Sequence, residues 1–328
     1  MLRKAAFAFA FALSIGSLML PLTVQAQQTG RVYRIGVLSF TTFENTTLAA
    51  VITEGLASLG YTVGRNIVIE DKFAEGKVDR LPALASELVR LNVDVIVAGN
   101  TFAIRAAQDA TTTIPIVMAF SGDDPVKNGF VASLARPGGN VTGVTTVARD
   151  LAPKMVDVLR DAAPGLARIA VLTNPARPEH TEYVRILQAA RPQRIELQIF
   201  EARSPDQYDA AFAAMTKQRA EGLVILGDIM FTRDSARLAA LALSHKLPSV
   251  YLYKAYFLAG GLIAYGPDLR ETIDLALPYV DKILKGANPA DLPVQQPTTF
   301  KLYVNTKTAK TLGLALSQSL LQRADDRI

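Results

Sequence analysis

The side chains that could do chemistry in this chain stand where short apolar runs end. They supply hydroxyl, amide and carboxylate groups together with aromatic rings. This mixture is typical of a pocket that orients a small polar molecule between apolar walls. The candidate ligand-binding residues are Ser39, Phe40, Thr41, Thr42, Asn100, Thr101, Phe120, Ser121, Asn174, Asp228, Tyr251, Tyr253 and Tyr265.

Within this set, Asp228 is the most natural partner for an ammonium group on a ligand. Structural alternatives stay open for the other residue types. Serine and threonine at the start of a helix often cap its free N–H groups. A single tyrosine or phenylalanine can equally belong to ordinary core or hinge packing. Capping and carboxylate binding use the same backbone geometry, so one position can do both.

Catalytic motifs are missing from the sequence. It contains no G-x-G-x-x-G, P-loop, G-x-S-x-G or H-E-x-x-H pattern. The two histidines, His180 and His245, are far apart, and we predict that both lie on loop or helix surfaces. Ser39, Thr101 and Ser121 have no histidine within a motif, so nucleophilic catalysis is not indicated. We therefore expect a protein that is not an enzyme and that holds no metal and no cofactor.

The adjacent carboxylates Asp123 and Asp124 could suggest metal binding or acid–base work. They lie between Gly122 and Pro125, in a composition typical of a turn. Aspartate is favoured at the start of a helix because the helix dipole and its free N–H groups attract negative charge. We interpret the pair as a turn that caps a short helix beginning near Val126.

An alternation of apolar runs and amphipathic segments must position the candidate residues. Residues 34–39 (RIGVLS) are continuously apolar at the centre, as expected for a strand buried on both faces. Helical periodicity follows, and the alternation continues, which predicts a parallel sheet covered by helices. The predicted strands are 34–39, 66–70, 94–98 and 114–120, and the predicted helices are 48–59, 80–91, 102–110 and 126–134.

The same alternation then starts again. Residues 168–173 (RIAVLT) closely repeat the sequence of residues 34–39. We therefore predict an α/β protein of two doubly wound parallel-sheet lobes that face each other. The predicted strands of the second unit are 168–173, 196–200, 222–226 and 249–253, and its predicted helices are 152–162, 179–190, 205–218 and 234–245.

The last part of the chain leaves this alternation and predicts a hinge that crosses between the lobes more than once. We expect crossings near residues 139–145, 255–261 and 294–299. The predicted first lobe comprises residues 31–142 and about 262–294, including a long helix over residues 268–285. The predicted second lobe comprises residues 146–255 and about 300–328. Residues 94–143 should then form one wall of the cleft and its first hinge crossing.

The N-terminus has the pattern of a cleavable signal peptide over residues 1–26. Arg3 and Lys4 precede an apolar run, and Val24-Gln25-Ala26 is a small-x-small cleavage site. Its removal takes away two positive charges and lowers the net charge from +5 to +3. We expect a soluble protein in the periplasm. It has no cysteine for a lipid anchor, and it lacks the clustered basic face that nucleic-acid binding requires.

Several segments resemble a known family. Residues 113–144 (TIPIVMAFSGDDPVKNGFVASLARPGGNVTGV) are similar to the hallmark segment of the ABC-transporter substrate-binding proteins of the tryptophan/tyrosine type, which have the type I periplasmic-binding fold. The resemblance extends over nearly all of the chain after the signal peptide. It includes residues 52–98, RIAVLTNPARP at 168–178, residues 258–314 and the closing SLLQRADDRI.

This resemblance implies a solute-binding protein that closes two lobes over a small molecule and presents it to an ABC permease and ATPase at the inner membrane. An amino acid or related carboxylate is the ligand that it suggests. The chain departs from the family pattern at Gly99-Asn100-Thr101-Phe102, at residues 119–125 and at Ser317-Gln318. The first two departures fall at the predicted cleft, so the ligand need not be the usual one.

Three alternatives use the same features. A periplasmic sensory protein would bind a ligand and signal to a receptor instead of a permease. A periplasmic enzyme would turn the ligand over. The effector domain of a gene regulator shares this fold, but the signal peptide and the lack of a helix-turn-helix argue against it.

Overall fold

A computed structural model describes residues 31–40, 46–146, 148–190 and 195–328. The predicted signal peptide and the candidate residues Thr41 and Thr42 lie outside the described residues. Residues 33–328 form one compact unit that contains two separate β-sheets. Within the described ranges, none of the helices has the length and apolar character that a membrane crossing needs.

The first sheet has five strands in the order β2-β1-β3-β4-β5, all paired in parallel. Alternate residues of its strands face opposite layers: Ile35 and Val37 belong to one core, and Leu38 to the other. Helices cover both faces, as a doubly wound sheet requires. The elements are β1 (Tyr33–Ser39), α1 (Leu48–Ser58), β2 (Ile67–Phe73), α2 (Leu81–Arg90), β3 (Val95–Gly99), α3 (Thr101–Ala110), β4 (Ile116–Phe120) and β5 (Val141–Gly143).

The predicted helix over residues 126–134 does not form. This segment consists of turns, in which Gly129 N–H donates to the Val126 carbonyl and Phe130 N–H to the Pro125 carbonyl. Gly129 has a φ of 67°, a left-handed conformation that ends any helical turn at this point. The chain then reaches β5, a short strand that the sequence pattern did not indicate.

The second sheet has seven strands in the order β12-β11-β10-β9-β8-β6-β7. Only the β10–β11 pair is antiparallel. Its elements as far as β9 are α4 (Ala148–Ala162), β6 (Arg168–Thr173), α5 (Pro178–Ala190), β7 (Glu196–Glu201), α6 (Tyr208–Lys217), β8 (Gly222–Ile225), α7 (Ile229–Arg233), α8 (Ser235–Ser244) and β9 (Ser249–Tyr251).

The remaining elements are α9 (Lys254–Leu258), β10 (Ile263–Gly266), α10 (Leu269–Asp274), α11 (Leu277–Leu284), β11 (Lys301–Val304), α12 (Thr306–Thr311), α13 (Gln318–Arg323) and β12 (Asp326–Arg327). The predicted helix over residues 268–285 is interrupted between α10 and α11. Pro278 in the first turn of α11 has no N–H, and its ring excludes the carbonyl four residues earlier.

Strand β10 lies in the second sheet, although the sequence placed residues 262–265 with the first lobe. Ile263 and Ala264 pair in parallel with Val250 and Tyr251. β10 thereby takes the same place beside β9 that β5 takes beside β4. The chain crosses to the first lobe only after Gly266, because Ile273 and Leu277 join the core of the first sheet. The second crossing therefore follows the predicted one, and the exact lobe boundaries stay a prediction.

The two sheets repeat one topology. In each, the first strand lies between the second and the third, and the fourth and fifth follow in order. The similar sequences RIGVLS and RIAVLT form β1 and β6, the first strand of each sheet. This confirms the predicted fold of two doubly wound lobes. In such sheets ligands bind beyond the carboxyl ends of the strands, where the strand order reverses.

Candidate functional site in the cleft

A cavity of about 460 Å³ lies beyond the carboxyl ends of strands from both sheets. Its walls come from the segments that follow β3 and β4 on one side, and β6, β8 and β9 on the other. Both lobes thus contribute to one site. The predicted binding residues that line the cavity are Asn100, Thr101, Phe120, Asp228 and Tyr253.

The other described candidates do not line the cavity. Ser39 is buried at the end of β1, and Phe40 packs its ring 6.1 Å from that of Phe102. Ser121 is fully buried, and its carbonyl accepts hydrogen bonds from Thr145 and Thr146 where the chain crosses between lobes. The positions outside the lining are Ser39, Phe40, Ser121, Asn174, Tyr251 and Tyr265.

Two of these aromatic residues serve packing instead of the cavity wall. Tyr251 is fully buried and stacks on Tyr256 with ring centroids 4.3 Å apart. Its hydroxyl accepts a hydrogen bond from Ser249. Tyr265 packs against Phe300. Both residues lie at strand ends, where the sequence predicted cleft residues. Side chains alternate between the two faces of a sheet, however, and Tyr251 belongs to the core while Tyr265 is partly buried against it.

Asn100 forms the N-cap of α3 in the first lobe. Its Oδ1 accepts hydrogen bonds from the N–H groups of Phe102 (3.0 Å) and Ala103 (3.2 Å). The backbone φ of 75° and ψ of 162° lie in a region that residues other than glycine rarely adopt, so the backbone at this cap is strained. Its Nδ2 is buried and has no hydrogen-bond partner among the described residues. The first lobe therefore keeps one amide donor for a ligand.

Asp228 forms the N-cap of α7 in the second lobe. Its Oδ1 accepts from the N–H groups of Met230 (2.7 Å) and Phe231 (3.1 Å), and its Oδ2 accepts from Asn174 Nδ2 (3.1 Å). These donors are neutral. A carboxylate offers about four acceptor positions, so Oδ2 retains one for a ligand. Asn174, predicted to bind the ligand itself, instead orients Asp228.

His180 is buried, which corrects the surface position that the sequence suggested. Its Nδ1 accepts a hydrogen bond from Asn174 N–H (2.8 Å), so the proton resides on Nε2, 3.2 Å from the Gly227 carbonyl. Burial lowers the pKa of His180 and keeps it neutral. The ring thus ties the end of β6 to the end of β8. His245 is half-buried at the end of α8, where its Nδ1 contacts the Thr216 hydroxyl.

An ion pair that the sequence did not predict crosses the cleft. Asp123 Oδ2 accepts hydrogen bonds from Arg177 Nη2 and from Thr101 Oγ1, both at 2.6 Å. Burial alone would lower the pKa of Arg177, but the carboxylates of Asp123 and Glu179 outweigh it and raise the pKa. The turn interpretation holds only for Asp124, whose Oδ1 accepts from the N–H groups of Val126 and Lys127.

Comparison with known proteins decides what kind of site this is. Residues 36–328 match the profile of the family described as ABC transporter substrate binding protein. The chain belongs to this family.

Individual relatives of this substrate-binding protein have been characterised. The chain is 26% identical to an ABC domain from Streptococcus pneumoniae solved in complex with L-Trp; the match covers 90% of this chain and 100% of that one, with a TM-score of 0.83. A conserved domain protein from Vibrio cholerae is 25% identical over 91% of this chain and 100% of its own, also with a TM-score of 0.83. A tyrosine-binding protein of Clostridioides difficile is 25% identical over 262 residues, 80% of this chain and 75% of that protein.

The cleft has the character of a substrate-binding protein and not of an enzyme. Family members bind substrates and do not transform them, in accord with the lack of catalytic motifs. Among the described residues, no three histidine or acidic side chains come together to hold a metal ion. Burial raises the pKa of Tyr253, which keeps its hydroxyl protonated. Phe102, Phe120 and Tyr253 supply the aromatic part of the cavity wall.

Proposed function

We propose that this protein captures an amino acid or a related small carboxylate between its two lobes and delivers it to an ABC permease. The observation that carries the proposal is the pair of unlike polar groups on the cavity wall. Asp228 offers a carboxylate acceptor from the second lobe, and Asn100 offers an amide donor from the first. A molecule with an ammonium and a carboxylate group would satisfy both.

The ammonium end of the ligand would lie at Asp228. Buried charges in proteins are normally paired, and the hydrogen-bond partners of this carboxylate among the described residues are neutral N–H groups, while Arg177 and Arg233 act on it electrostatically without a hydrogen bond. An ammonium supplies both a positive charge and a hydrogen bond to Oδ2. Asn174 and, behind it, His180 hold the carboxylate in place.

The carboxylate end of the ligand would lie at Asn100. Its unpaired Nδ2 would donate to a carboxylate oxygen, and the amino end of α3 contributes a favourable dipole. The remaining wall, with Phe102, Phe120 and Tyr253, suits an apolar or aromatic side chain. The L-Trp complex of the streptococcal relative and the name of the clostridial relative support an aromatic amino acid.

The cellular setting of the proposal rests on the first residues and on the family. Residues 1–26 have the sequence of a signal peptide, which would direct the mature protein to the periplasm. The partners would be a permease and an ATPase of the inner membrane. Transport would be driven by those partners, and this chain would contribute affinity and lobe closure.

Isothermal titration calorimetry of the purified protein tests the proposal. The probes are L-tryptophan, L-tyrosine and L-phenylalanine, with tryptamine and indole-3-propionate as analogues that lack the carboxylate or the ammonium. We expect one molecule bound per chain, and binding at least tenfold weaker for each analogue, since each leaves one buried polar group unpaired. The bound ligand should be recovered unchanged. Failure of all three amino acids to bind would contradict the proposed ligand class.

A further inference from the structure

Two segments from opposite lobes contact each other beside the cavity. One is the loop after β4, which carries Gly122 and Asp123; the other is the segment from Arg177 to Tyr183 at the start of α5. The Tyr183 hydroxyl donates to the Gly122 carbonyl at 3.1 Å. We call the group of Thr101, Phe102, Asp123, Arg177 and Tyr183 the clasp.

Arg177 is the centre of the clasp. Its guanidinium group donates to Asp123 and lies over the ring of Phe102, 4.8 Å from the ring centroid. The side chains of Arg177 and Asp123 are only 15% and 5% exposed. Thr101 donates to the same oxygen of Asp123, and so holds the carboxylate where Arg177 reaches it. Every partner of Arg177 within this group belongs to the first lobe.

The energy of such a pair depends on whether the cleft is closed. When the lobes separate, Asp123 and Arg177 are each hydrated, and water compensates for most of the interaction that each loses with the other. When the lobes meet, both lose water, and each needs the other, because a buried charge without a partner is strongly unfavourable. Removing one partner therefore penalises the closed arrangement alone. The equilibrium between open and closed lobes shifts by the same amount.

We propose that Asp123 and Arg177 are positioning residues that set ligand affinity by holding the lobes together. They stabilise the closed arrangement of the lobes, and this stabilisation does not depend on which molecule occupies the cavity. The inference thus goes beyond the proposed function. It also differs from direct recognition, in which Arg177 would touch the ligand and leave the closure of the ligand-free protein unchanged.

A second ion pair joins the same segments and serves as a matched control. Lys127 Nζ lies 3.7 Å from Glu182 Oε1, but the two side chains are 61% and 31% exposed. Exposed pairs contribute little, since water solvates the charges whether or not they meet. Lys127→Met removes a positive charge from the same region without burying a lone carboxylate.

The distance between the lobes can be measured directly. The chain has no cysteine, so Lys77→Cys and Ala240→Cys, both at exposed positions, allow one spin label in each lobe. The loop at Gly76 and the end of α7 approach each other, since Arg233 Nη1 lies 4.0 Å from where a Cβ on Gly76 would be. Opening should therefore lengthen the label-to-label distance seen by double electron–electron resonance.

In the absence of ligand, we expect Arg177→Met to shift the distance distribution to longer values and Lys127→Met to leave it unchanged. Asp123→Asn keeps an acceptor for Thr101 and should shift the distances in the same direction but less than Arg177→Met does, because Glu179, 3.5 Å from Arg177 Nε, still compensates part of the guanidinium charge. The double variant Asp123→Asn/Arg177→Met should lie closer to the parent than Arg177→Met does. Circular dichroism checks that each variant is folded. Identical distributions for Arg177→Met and Lys127→Met would overturn the proposal.

Calorimetry with L-tryptophan completes the test. We expect Arg177→Met to weaken binding at least tenfold and Lys127→Met to change it less than twofold. Weaker binding with an unchanged distance would show that Arg177 contacts the ligand directly, and would also overturn the proposal. If the parent protein binds none of L-tryptophan, L-tyrosine and L-phenylalanine, the proposed ligand class is wrong, while the ligand-free distances still decide whether the clasp closes the lobes.

Discussion

In each lobe, the third strand leads into a glycine and then a polar residue that caps the next helix. The two lobes differ in which polar residue stands there. β3 ends at Gly99 and is followed by Asn100, and β8 is followed shortly by Gly227 and Asp228. Asn100 and Asp228 each cap the next helix by accepting two backbone N–H groups. One lobe thus presents a neutral amide to the cavity, and the other presents a carboxylate. The shared topology determines where the capping residue lies, and the chemistry of its side chain determines which end of a ligand it can bind.

Gly99 and Gly227 are both at positions where a Cβ would be too close to a leucine side chain. A Cβ at Gly99 would lie 2.8 Å from Leu48 Cδ2, and one at Gly227 would lie 2.6 Å from Leu252 Cδ2. The backbone before each cap therefore packs closely against a leucine. The caps differ in conformation, because Asn100 has a φ of 75° and Asp228 a φ of −145°. The backbone at the first cap is therefore strained for any residue other than glycine, whereas the second cap has an ordinary extended backbone.

Removal of the charge at Asp228 should have the largest effect of the changes that test this comparison. Asp228→Asn keeps an oxygen for the N–H groups of Met230 and Phe231 but loses the partner of an ammonium. We expect L-tryptophan binding to weaken tenfold or more in calorimetry, with a modest loss of thermal stability because Asn174 Nδ2 loses its acceptor. Asp228→Ala is less informative, since loss of the cap also costs about 1 kcal/mol of stability.

The reciprocal change in the other lobe is the control. Asn100→Asp keeps the cap of α3 but replaces the Nδ2 donor by an oxygen, which would repel a ligand carboxylate. We expect weaker binding of L-tryptophan and no such loss for tryptamine, which has no carboxylate. Unchanged affinity in Asp228→Asn would show that the carboxylate is only a cap and that the ammonium assignment is wrong.

The dependence of stability on pH tests a difference between the two lobes in the hydrogen bonds at the end of their first strands. In the second lobe neutral His180 joins Asn174 to Gly227, whereas the corresponding end of β1 has Ser39, whose Oγ is unpartnered among the described residues. Burial lowers the pKa of His180 below the value of about 6.5 expected in the unfolded chain. The unfolded chain therefore binds more protons at mildly acidic pH, and the stabilisation present above that pH is lost as the pH falls.

We expect the free energy of unfolding to decline between pH 7 and pH 5, and to decline less in His180→Asn. The groups that face His180 electrostatically are Asp228, Arg177 and Asp123, which this substitution leaves in place. The measurement is urea unfolding at each pH. An equal slope in wild type and His180→Asn would contradict the buried neutral ring.

The sequence predicted the strand ends well because apolar runs and small polar residues are local signals. Asn100, Thr101, Phe120 and Asp228 were found in this way, and they do line the cavity. Whether a strand-end side chain faces the cavity or the core depends on the pleat and the register, as the buried Tyr251 illustrates. Those features are not visible in a single run of residues.

Long-range partners were the least predictable part. Asp123 and Arg177 are 54 residues apart, and the local sequence of neither residue indicates the other as its partner. Asn174 was expected to bind the ligand, but its partner is Asp228, another 54 residues along. His180 was expected at the surface because no local pattern distinguishes a buried neutral histidine. Such pairs arise only when the two lobes, or two distant strands, are placed side by side.

The smallest effect concerns one of the two differences between the repeated strand sequences. Gly36 in β1 corresponds to Ala170 in β6, and both belong to the first strand of a sheet. A Cβ at Gly36 would lie 3.0 Å and 3.1 Å from the two terminal methyl groups of Leu88 and 3.3 Å from Val93 Cγ2. Helix α2, which carries Leu88, therefore packs on the first sheet where Gly36 leaves room for it.

We expect Gly36→Ala to change the unfolding free energy by less than about 1 kcal/mol, since the reduced freedom of the unfolded chain offsets the crowding of Leu88. Ala170→Gly should destabilise by about 1 to 2 kcal/mol, because it adds backbone freedom and removes a fully buried methyl group. Urea unfolding of both variants measures the difference. A larger loss in Gly36→Ala would mean that Leu88 cannot move, and that the first lobe is packed more tightly on its sheet than the second.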